Sequence, residues 1–162
     1  MRMKLLALVL FSIAFAFVEA AVVFYLRRIF DFRTYPTTAY HNLINLGFMA
    51  FLSGGSQVLP DAKIMHAEVL REVATIIMLA AIAFISGVNF KQRAAAFLIA
   101  FSIWDLFYYA FLKYLTGWPT SVWSIDVYFL NPVPSAGLVI FPLILFSFTL
   151  VFGLIIYIRQ NK

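Results

Sequence analysis

Charged side chains occur inside stretches of the sequence that are otherwise apolar. Glu19 interrupts an apolar run that begins at Leu5, Asp105 lies midway along another, and Arg71 and Glu72 lie where a third run becomes apolar. A charge at the centre of a membrane-spanning helix costs about 2.5–3.5 kcal/mol on insertion scales. Each of these residues therefore needs a reason to be there, such as binding a ligand, exchanging a proton or pairing with another charge.

Helical spacing places several polar side chains on shared faces. Tyr108 and Tyr109 follow Asp105 by three and four residues, and Glu72 follows Glu68 by four. Residues at these spacings lie on one side of a helix. Because lipid cannot solvate such faces, we expect them to point into the protein.

The candidate ligand-binding set is completed by Asp126, in the polar connection before the last apolar run. One hypothesis is that Arg71 holds an anionic group while a carboxyl group exchanges a proton. The alternative is that Arg71 neutralises Glu19, Glu72 or Asp105 in a buried ion pair that fixes the helix register. The predicted set comprises Glu19, Arg71, Glu72, Asp105, Tyr108, Tyr109 and Asp126.

Metal and cofactor chemistry is weakly indicated. Carboxylate sites in helical bundles use Glu-x-x-His, whereas His66 and Glu68 are two residues apart and face away from each other. They are therefore weak metal candidates, and no metal site is predicted. A haem with two histidine ligands would need His41, which lies in an irregular segment, and Lys113 is a poor candidate for a Schiff base. The chain has no cysteine, which excludes thiolate chemistry, and the identity of any cofactor stays unknown.

Composition sets the class of protein. Hydrophobic residues make up 64% of the 162 residues, charged residues make up 12%, and the mean hydropathy is +0.96. Soluble domains average about 45–50% apolar and about 25% charged residues. A chain of this size cannot bury so much apolar surface in one core. We therefore expect an all-α integral membrane protein that contacts the lipid bilayer.

The apolar runs define a single polytopic domain with four transmembrane helices. The predicted spans are residues 5–26, 68–88, 94–115 and 136–158, each about long enough to cross a bilayer. Asp61 is predicted to cap the second helix, and residues 89–93 are predicted to form a short basic loop. The first run is basic at its start, like a signal peptide, but continues apolar past any cleavage site, so we expect it to be retained.

Two connections need a more detailed interpretation. Residues 38–59 contain a short apolar run interrupted by Gly54-Gly55, which favours an interfacial or re-entrant segment. Residues 118–135 are predicted to fold back as a lid over the polar set. Within that lid, SVWSIDVYFL is predicted to form a short helix that ends at Pro132.

Charge distribution predicts the orientation. With four spans, one side carries six Lys or Arg residues and the other carries four. The positive-inside rule then favours cytoplasmic termini in a multi-pass protein of the cell (inner or plasma) membrane. The net charge of +5 is explained by these flanking residues, so no nucleic-acid partner is expected.

A run of residues in the third helix and the connection after it forms a motif. Trp104-Asp105, Tyr108-Tyr109, Gly117-Trp118-Pro119, Ser121, Asp126 and Pro132-Val133-Pro134 give the pattern WDxxYY…GWPxS…D followed by PVP. This pattern resembles a family of small, uncharacterised prokaryotic multi-helix membrane proteins, and it extends loosely over three of the four spans. The resemblance implies no activity; it implies that the polar residues belong together.

Two functions from different classes fit these observations. The first is a site for a small ligand, a lipid headgroup, an ion or a proton in the non-cytoplasmic half, serving transport or a membrane-embedded enzyme. The second is a non-catalytic accessory or assembly subunit of a larger membrane complex. No nucleophile or cofactor loop favours an enzyme, and the sequence leaves a homo- or hetero-oligomer open. A channel is disfavoured because four spans would need to oligomerise to form a pore.

Overall fold

Two pairs of strands connect the helices: one pair lies between the first and second helices, and the other lies between the third and fourth. A computed structural model describes residues 2–30, 42–52 and 61–160. Each of its four helices is long and apolar enough to cross a membrane, which confirms the four predicted spans as candidate spans. The elements are α1 (Arg2–Ile29), β1 (Asn42–Asn45), β2 (Met49–Leu52), α2 (Ala62–Ser86), α3 (Phe90–Thr116), β3 (Ile125–Phe129), β4 (Ser135–Leu138) and α4 (Ile140–Arg159).

Helix α3 lies at the centre of the bundle and packs against each of the other three helices. Small buried residues make this packing close. Gly153 of α4 faces α3, and a Cβ atom at Gly153 would lie 3.1 Å from Ile99 Cγ1 and 3.3 Å from the Ala95 carbonyl oxygen. In lipid, where helices gain little from apolar burial alone, such close backbone approach is a main source of association.

The outer faces of the helices are apolar. Large hydrophobic side chains that would be buried in a soluble protein are exposed here, including Phe148 with 73% of its surface exposed. Exposure of this kind along four long helices is consistent with contact to a lipid bilayer. Other examples are Leu6, Leu10, Ile77, Phe84, Phe152 and Ile155.

Side-chain caps begin two of the helices. The prediction for Asp61 is confirmed, since its Oδ1 accepts hydrogen bonds from the backbone N–H groups of Lys63 and Ile64 at 2.7 and 3.1 Å. At α3, Asn89 Oδ1 accepts from Gln92 N–H and Gln92 Oε1 accepts from Val88 N–H. This reciprocal capping starts α3 at Phe90, so the predicted loop over residues 89–93 is wrong beyond its first residue.

The two longer connections form one four-stranded antiparallel sheet with the order β1-β2-β4-β3. Pairing of β2 with β4 joins the α1–α2 connection to the α3–α4 connection. Gly137 is required at this junction, because a Cβ atom there would lie 2.5 Å from the Phe48 carbonyl oxygen. We call this end of the bundle the sheet end.

Two predictions about these connections are wrong. Residues 42–52 form the β1–β2 hairpin and not an interfacial or re-entrant helix; residues 38–41 and 53–59 lie outside the described part of the chain. The predicted short helix in SVWSIDVYFL is strand β3. Ile125, Val127 and Phe129 alternate with Asp126 and Tyr128, and this period of two in β-branched and aromatic residues favours a strand.

The opposite end of the bundle, which we call the turn end, contains the α2–α3 turn and the outer ends of α1 and α4. Lys4 Nζ donates to the Ile85 carbonyl oxygen at 3.3 Å, and Asn89 lies 3.4 Å from Gln160 through their side-chain amides. The four helices therefore run alternately up and down. Which side of a membrane the turn end faces stays a prediction.

Candidate functional site

A cavity of about 70 Å³ lies between α1, α2, α3 and β3. Glu19 is ten residues from the sheet-end terminus of α1, and Asp105 is eleven from that of α3. At 1.5 Å per residue these positions are about 15 Å inside the bundle. The structure brings every residue of the predicted ligand-binding set to this cavity: Glu19, Arg71, Glu72, Asp105, Tyr108, Tyr109 and Asp126.

One wall of the cavity consists of Glu19, Glu68 and Arg71, which we call the Arg71 cluster. Arg71 Nη1 donates to Glu19 Oε2 across the α1–α2 interface. Arg71 Nε and Nη2 lie 2.8 and 2.7 Å from Glu68 Oε2. Both carboxylates are largely buried, so the guanidinium is neutralised from two sides.

Glu72 extends this wall and ties β3 to α2. Its carboxylate accepts from the Leu130 N–H at 3.1 and 2.9 Å and from Asn131 Nδ2 at 3.2 Å. Asn131 Nδ2 also donates to the Val69 carbonyl oxygen at 2.9 Å. The end of β3 is thereby held against α2, and a backbone N–H that lipid could not solvate is satisfied.

The opposite wall consists of Asp105, Tyr109 and Asp126, which we call the aspartate wall. Tyr109 Oη donates to Asp126 Oδ2 at 3.0 Å. Asp105 is 7% exposed, and its Oδ2 is buried without a hydrogen-bond partner among the described residues. The indole Nε1 of the neighbouring Trp104, which also lines the cavity, has none within those ranges either. A buried acceptor and a buried donor are thus left beside an empty volume.

Asp126 lies in β3, outside the four helices, and its ionisation is shifted. Burial raises the pKa of Asp126 to about 6, although the hydrogen bond from Tyr109 and the positive charge of Arg27 act in the opposite direction. The Arg27 guanidinium itself lies over the Trp118 ring, 4.3 Å from the ring centroid. Asp126 is therefore poised to exchange a proton near neutral pH.

The cavity has a strong excess of acidic groups. Five carboxyl groups and one guanidinium line it, and full ionisation would leave an excess of four negative charges in the lining, which the charge of Arg27 offsets in part at Asp126. Such an excess is not stable in a low-dielectric interior. Some of these carboxyl groups must hold protons, or the cavity must hold a positively charged group.

The remaining predicted residues have different positions. Tyr108 lines the cavity and makes an edge contact with Tyr109, with ring centroids 5.0 Å apart. Lys113 Nζ instead binds the carbonyl oxygens of Gly117 and Pro119 at 2.9 and 2.6 Å, closing the end of α3 outside the cavity. His66 is exposed, and residues 2–30, 42–52 and 61–160 contain no group of three or more His, Asp or Glu side chains suited to a metal ion.

Sequence reasoning missed three contributors to the site. Glu68 was placed on an inward face with Glu72 and named as a weak metal candidate, but its ion pair with Arg71, for which the i,i+3 spacing is typical, was not predicted. Trp104 lines the cavity beside Asp105. Arg27 acts on Asp126, and no local pattern could reveal this, since 99 residues separate the two in the chain.

A second cavity of about 400 Å³ lies beside the first, and we call it the apolar groove. Five apolar side chains from α2, α3 and β3 line it, together with Glu72 and Asn131. Glu72 also lines the polar cavity, so the two volumes share one wall residue. The apolar lining is Val73, Ile76, Ile77, Phe101 and Phe129.

Comparison of the chain with protein-family models, with curated proteins and with solved structures finds no match. The resemblance carried by the Trp104–Pro134 motif therefore stays an expectation.

Proposed function

We propose that the polar cavity binds a small organic cation, namely a protonated amine, and that the aspartate wall exchanges protons with it. The observation that carries this proposal is Asp105. Its carboxyl group is buried and has an unpartnered oxygen in the part of the chain that the structure describes. An ammonium group is a hydrogen-bond donor that would satisfy this oxygen and reduce the excess of negative charge.

The state of Arg71 favours a cation over an anion. The sequence alone allowed Arg71 to hold an anionic ligand, but its guanidinium nitrogens are engaged by Glu19 and Glu68. An anion would have to displace one of these carboxylates and would then face the remaining acidic groups. A metal ion is disfavoured in turn, since the described carboxylates are not grouped as ligands.

The volume limits what can be bound. Typical small-molecule pockets enclose about 300–1,000 Å³, whereas this cavity encloses about 70 Å³. On the same measure, a cavity needs about 10–15 Å³ to hold one water. The cavity therefore suits a group such as methylammonium or the amine end of a longer molecule, together with little else.

Binding of methylammonium to the purified protein in a neutral detergent tests this proposal. Calorimetry is expected to detect binding to the wild type, and Asp105→Asn is expected to weaken it by at least about tenfold, since a charge-assisted hydrogen bond contributes about 1.5–3 kcal/mol. Asp61→Asn is the matched control: it removes a carboxylate that caps α2 at the sheet end, outside the cavity lining. Absence of binding to the wild type, or equal binding by wild type and Asp105→Asn, overturns the proposal.

The orientation follows from the positive-inside rule. Lys4, Lys91, Arg93 and Arg159 are basic residues of the turn end. We propose that the turn end faces the cytoplasmic side of a cell membrane and that the sheet end, which is the end nearer the polar cavity, faces the opposite side. Labelling of a single cysteine introduced at Lys91 or at Trp123 in intact cells checks this assignment.

The second candidate is an assembly subunit that uses its buried charges to fix helix register. The contact that favours it is the Glu19–Arg71 ion pair, which joins α1 to α2 across 52 residues of sequence. A membrane partner or a second copy would then cover part of the apolar helix faces. If Glu19→Gln and Asp105→Asn only lower the melting temperature and methylammonium does not bind the wild type, this candidate replaces the first.

A further inference from the structure

We infer that the occupant of the site is a membrane amphiphile, with a primary amine in the polar cavity and a single hydrocarbon chain in the apolar groove. This inference rests on the proposed cation site and extends it by naming the class of ligand. It also assigns a role to the groove, which the cation site alone leaves unused.

The groove has the dimensions and the lining of a chain-binding pocket. Its volume of about 400 Å³ lies within the usual range for small-ligand pockets. Its surface is almost entirely apolar, since the carboxylate of Glu72 is occupied by Leu130 and Asn131. Phe101 and Phe129, whose ring centroids are 6.0 Å apart, belong to its lining.

The groove opens to the hydrocarbon phase. Val73 and Ile77 line it and are 43% and 62% exposed on the outer surface of α2, a candidate membrane span. A chain could therefore enter sideways from a leaflet without leaving an apolar environment. A water-soluble amine has no such requirement, so the groove favours a ligand that already resides in the bilayer.

The order of residues along α2 gives the ligand a direction. Glu72, which is common to both volumes, lies nearer the sheet end, and Ile76 and Ile77 lie about one turn, or about 6 Å, deeper. A head placed near Glu72 would have its chain running toward the middle of the bundle. Lipids of the sheet-end leaflet have this same orientation.

The charge of the cavity lining favours a cationic head group on the ligand. Five carboxyl groups and an already paired guanidinium line the polar cavity, which would repel a phosphate or a carboxylate on the ligand. The small volume of about 70 Å³ favours a primary amine over a bulky quaternary group. A long-chain primary amine meets both conditions.

The test uses the full chain in bilayer discs made of zwitterionic phospholipid. The probes are dodecylamine, dodecanol at the same mole fraction, and methylammonium added from water. The readout is the melting temperature of the wild type and of two variants, Ile76→Trp, which fills the groove, and Asp105→Asn, which alters the cavity. Phe148→Trp places the same indole side chain at an exposed site on α4 and is the control for the presence of an added tryptophan.

Dodecylamine is expected to raise the melting temperature of the wild type and of Phe148→Trp by several degrees, whereas dodecanol is expected to leave both unchanged. Ile76→Trp is expected to lose the response to dodecylamine and to keep the response to methylammonium. Asp105→Asn is expected to lose both responses. If Ile76→Trp does not fold, Val73→Trp at the more exposed edge of the groove takes its place.

The outcomes separate the two proposals. Two results overturn the inference while the cation site stands. In the first, methylammonium stabilises the wild type but dodecylamine acts no better than dodecanol; in the second, Ile76→Trp keeps the full dodecylamine response. Either result would mean that the groove is occupied by ordinary bilayer lipid only. If neither amine stabilises the wild type, the cation site and the inference are both overturned.

Discussion

Both walls of the polar cavity contain buried acidic residues, but those residues are fully paired in one wall and only partly paired in the other. In the Arg71 cluster, two carboxylates and one guanidinium satisfy one another through contacts of hydrogen-bond length. In the aspartate wall, Asp126 has a tyrosine donor and Asp105 has an oxygen without a partner among the described residues. Acidic residues line both walls, yet only the first contains its own counter-charge.

This difference in pairing suggests different roles for the two walls, one in stability and the other in binding. A buried ion pair adds little net stability while intact, but removal of one partner is severely destabilising because the other charge is left uncompensated. A buried carboxyl group without a partner contributes no such interaction and is retained at a cost. We therefore expect the Arg71 cluster to hold the helices together and the aspartate wall to act on ligands and protons.

The largest effect is expected from Arg71→Met. This change leaves Glu19 and Glu68 buried without a counter-charge, and should lower the free energy of unfolding by about 3–5 kcal/mol. Chemical unfolding in detergent, followed by tryptophan fluorescence, measures it. The triple variant Glu19→Gln/Glu68→Gln/Arg71→Met removes all three charges and should recover most of the loss. A small loss in Arg71→Met, or no recovery in the triple variant, would show that the cluster does not hold α1 to α2 through charge.

An intermediate effect is expected from the pH dependence that Asp126 confers. The folded-state pKa of Asp126 is raised from 3.8 to about 6, so the folded protein favours the protonated form. The stabilisation due to this group is complete below about pH 4 and is lost as the pH rises through about 6; it amounts to about 3 kcal/mol.

Asp126→Asn keeps an oxygen that can accept from Tyr109 but cannot ionise. The difference in unfolding free energy between Asp126→Asn and the wild type should therefore change by about 2 kcal/mol, in favour of the variant, between pH 4 and pH 7. Thermal unfolding at several pH values measures this change. A constant difference across the range would mean that Asp126 does not take up a proton in the folded protein.

The smallest effect on stability is expected from Asp105→Asn. Because Asp105 Oδ2 has no partner among the described residues, its replacement by a neutral amide should change the free energy of unfolding by no more than about 1 kcal/mol. The same variant is expected to lose methylammonium binding. A large loss of stability would place Asp105 with the Arg71 cluster and remove the contrast between the walls.

The sequence predicted the helices and the set of polar residues well, for a physical reason. Long apolar runs have one stable solution in lipid, and intramembrane charges such as Glu19 and Asp105 must turn inward. With four antiparallel helices, similar depth along each helix then brought these residues to one cavity. For the residues on the helices, no information beyond hydropathy and helical spacing was needed; Asp126 lies in β3 and does not follow from that argument.

The sheet could not be predicted in the same way. Strands β1, β2 and β4 are each four residues long, and the pairing of β2 with β4 joins distant parts of the sequence. Ala136 is paired with Ala50 in β2, a contact that depends on the whole chain. Pairing of Arg71 with Glu19 was one of the open alternatives and is confirmed, whereas the share of Glu68 in neutralising Arg71 was not predicted.

Pairing of β2 with β4 also determines when the site becomes complete during synthesis. A ribosome delivers α1, β1, β2 and α2 well before β4, so β2 has one bonded edge and one open edge while α3 and β3 are made. Asp126 in β3 and Leu130 directly after it, which line the cavity, are delivered in the same late stage. A chain halted after α3 would have the Arg71 cluster formed but the polar cavity uncovered, and its open β2 edge would be available to bind another strand.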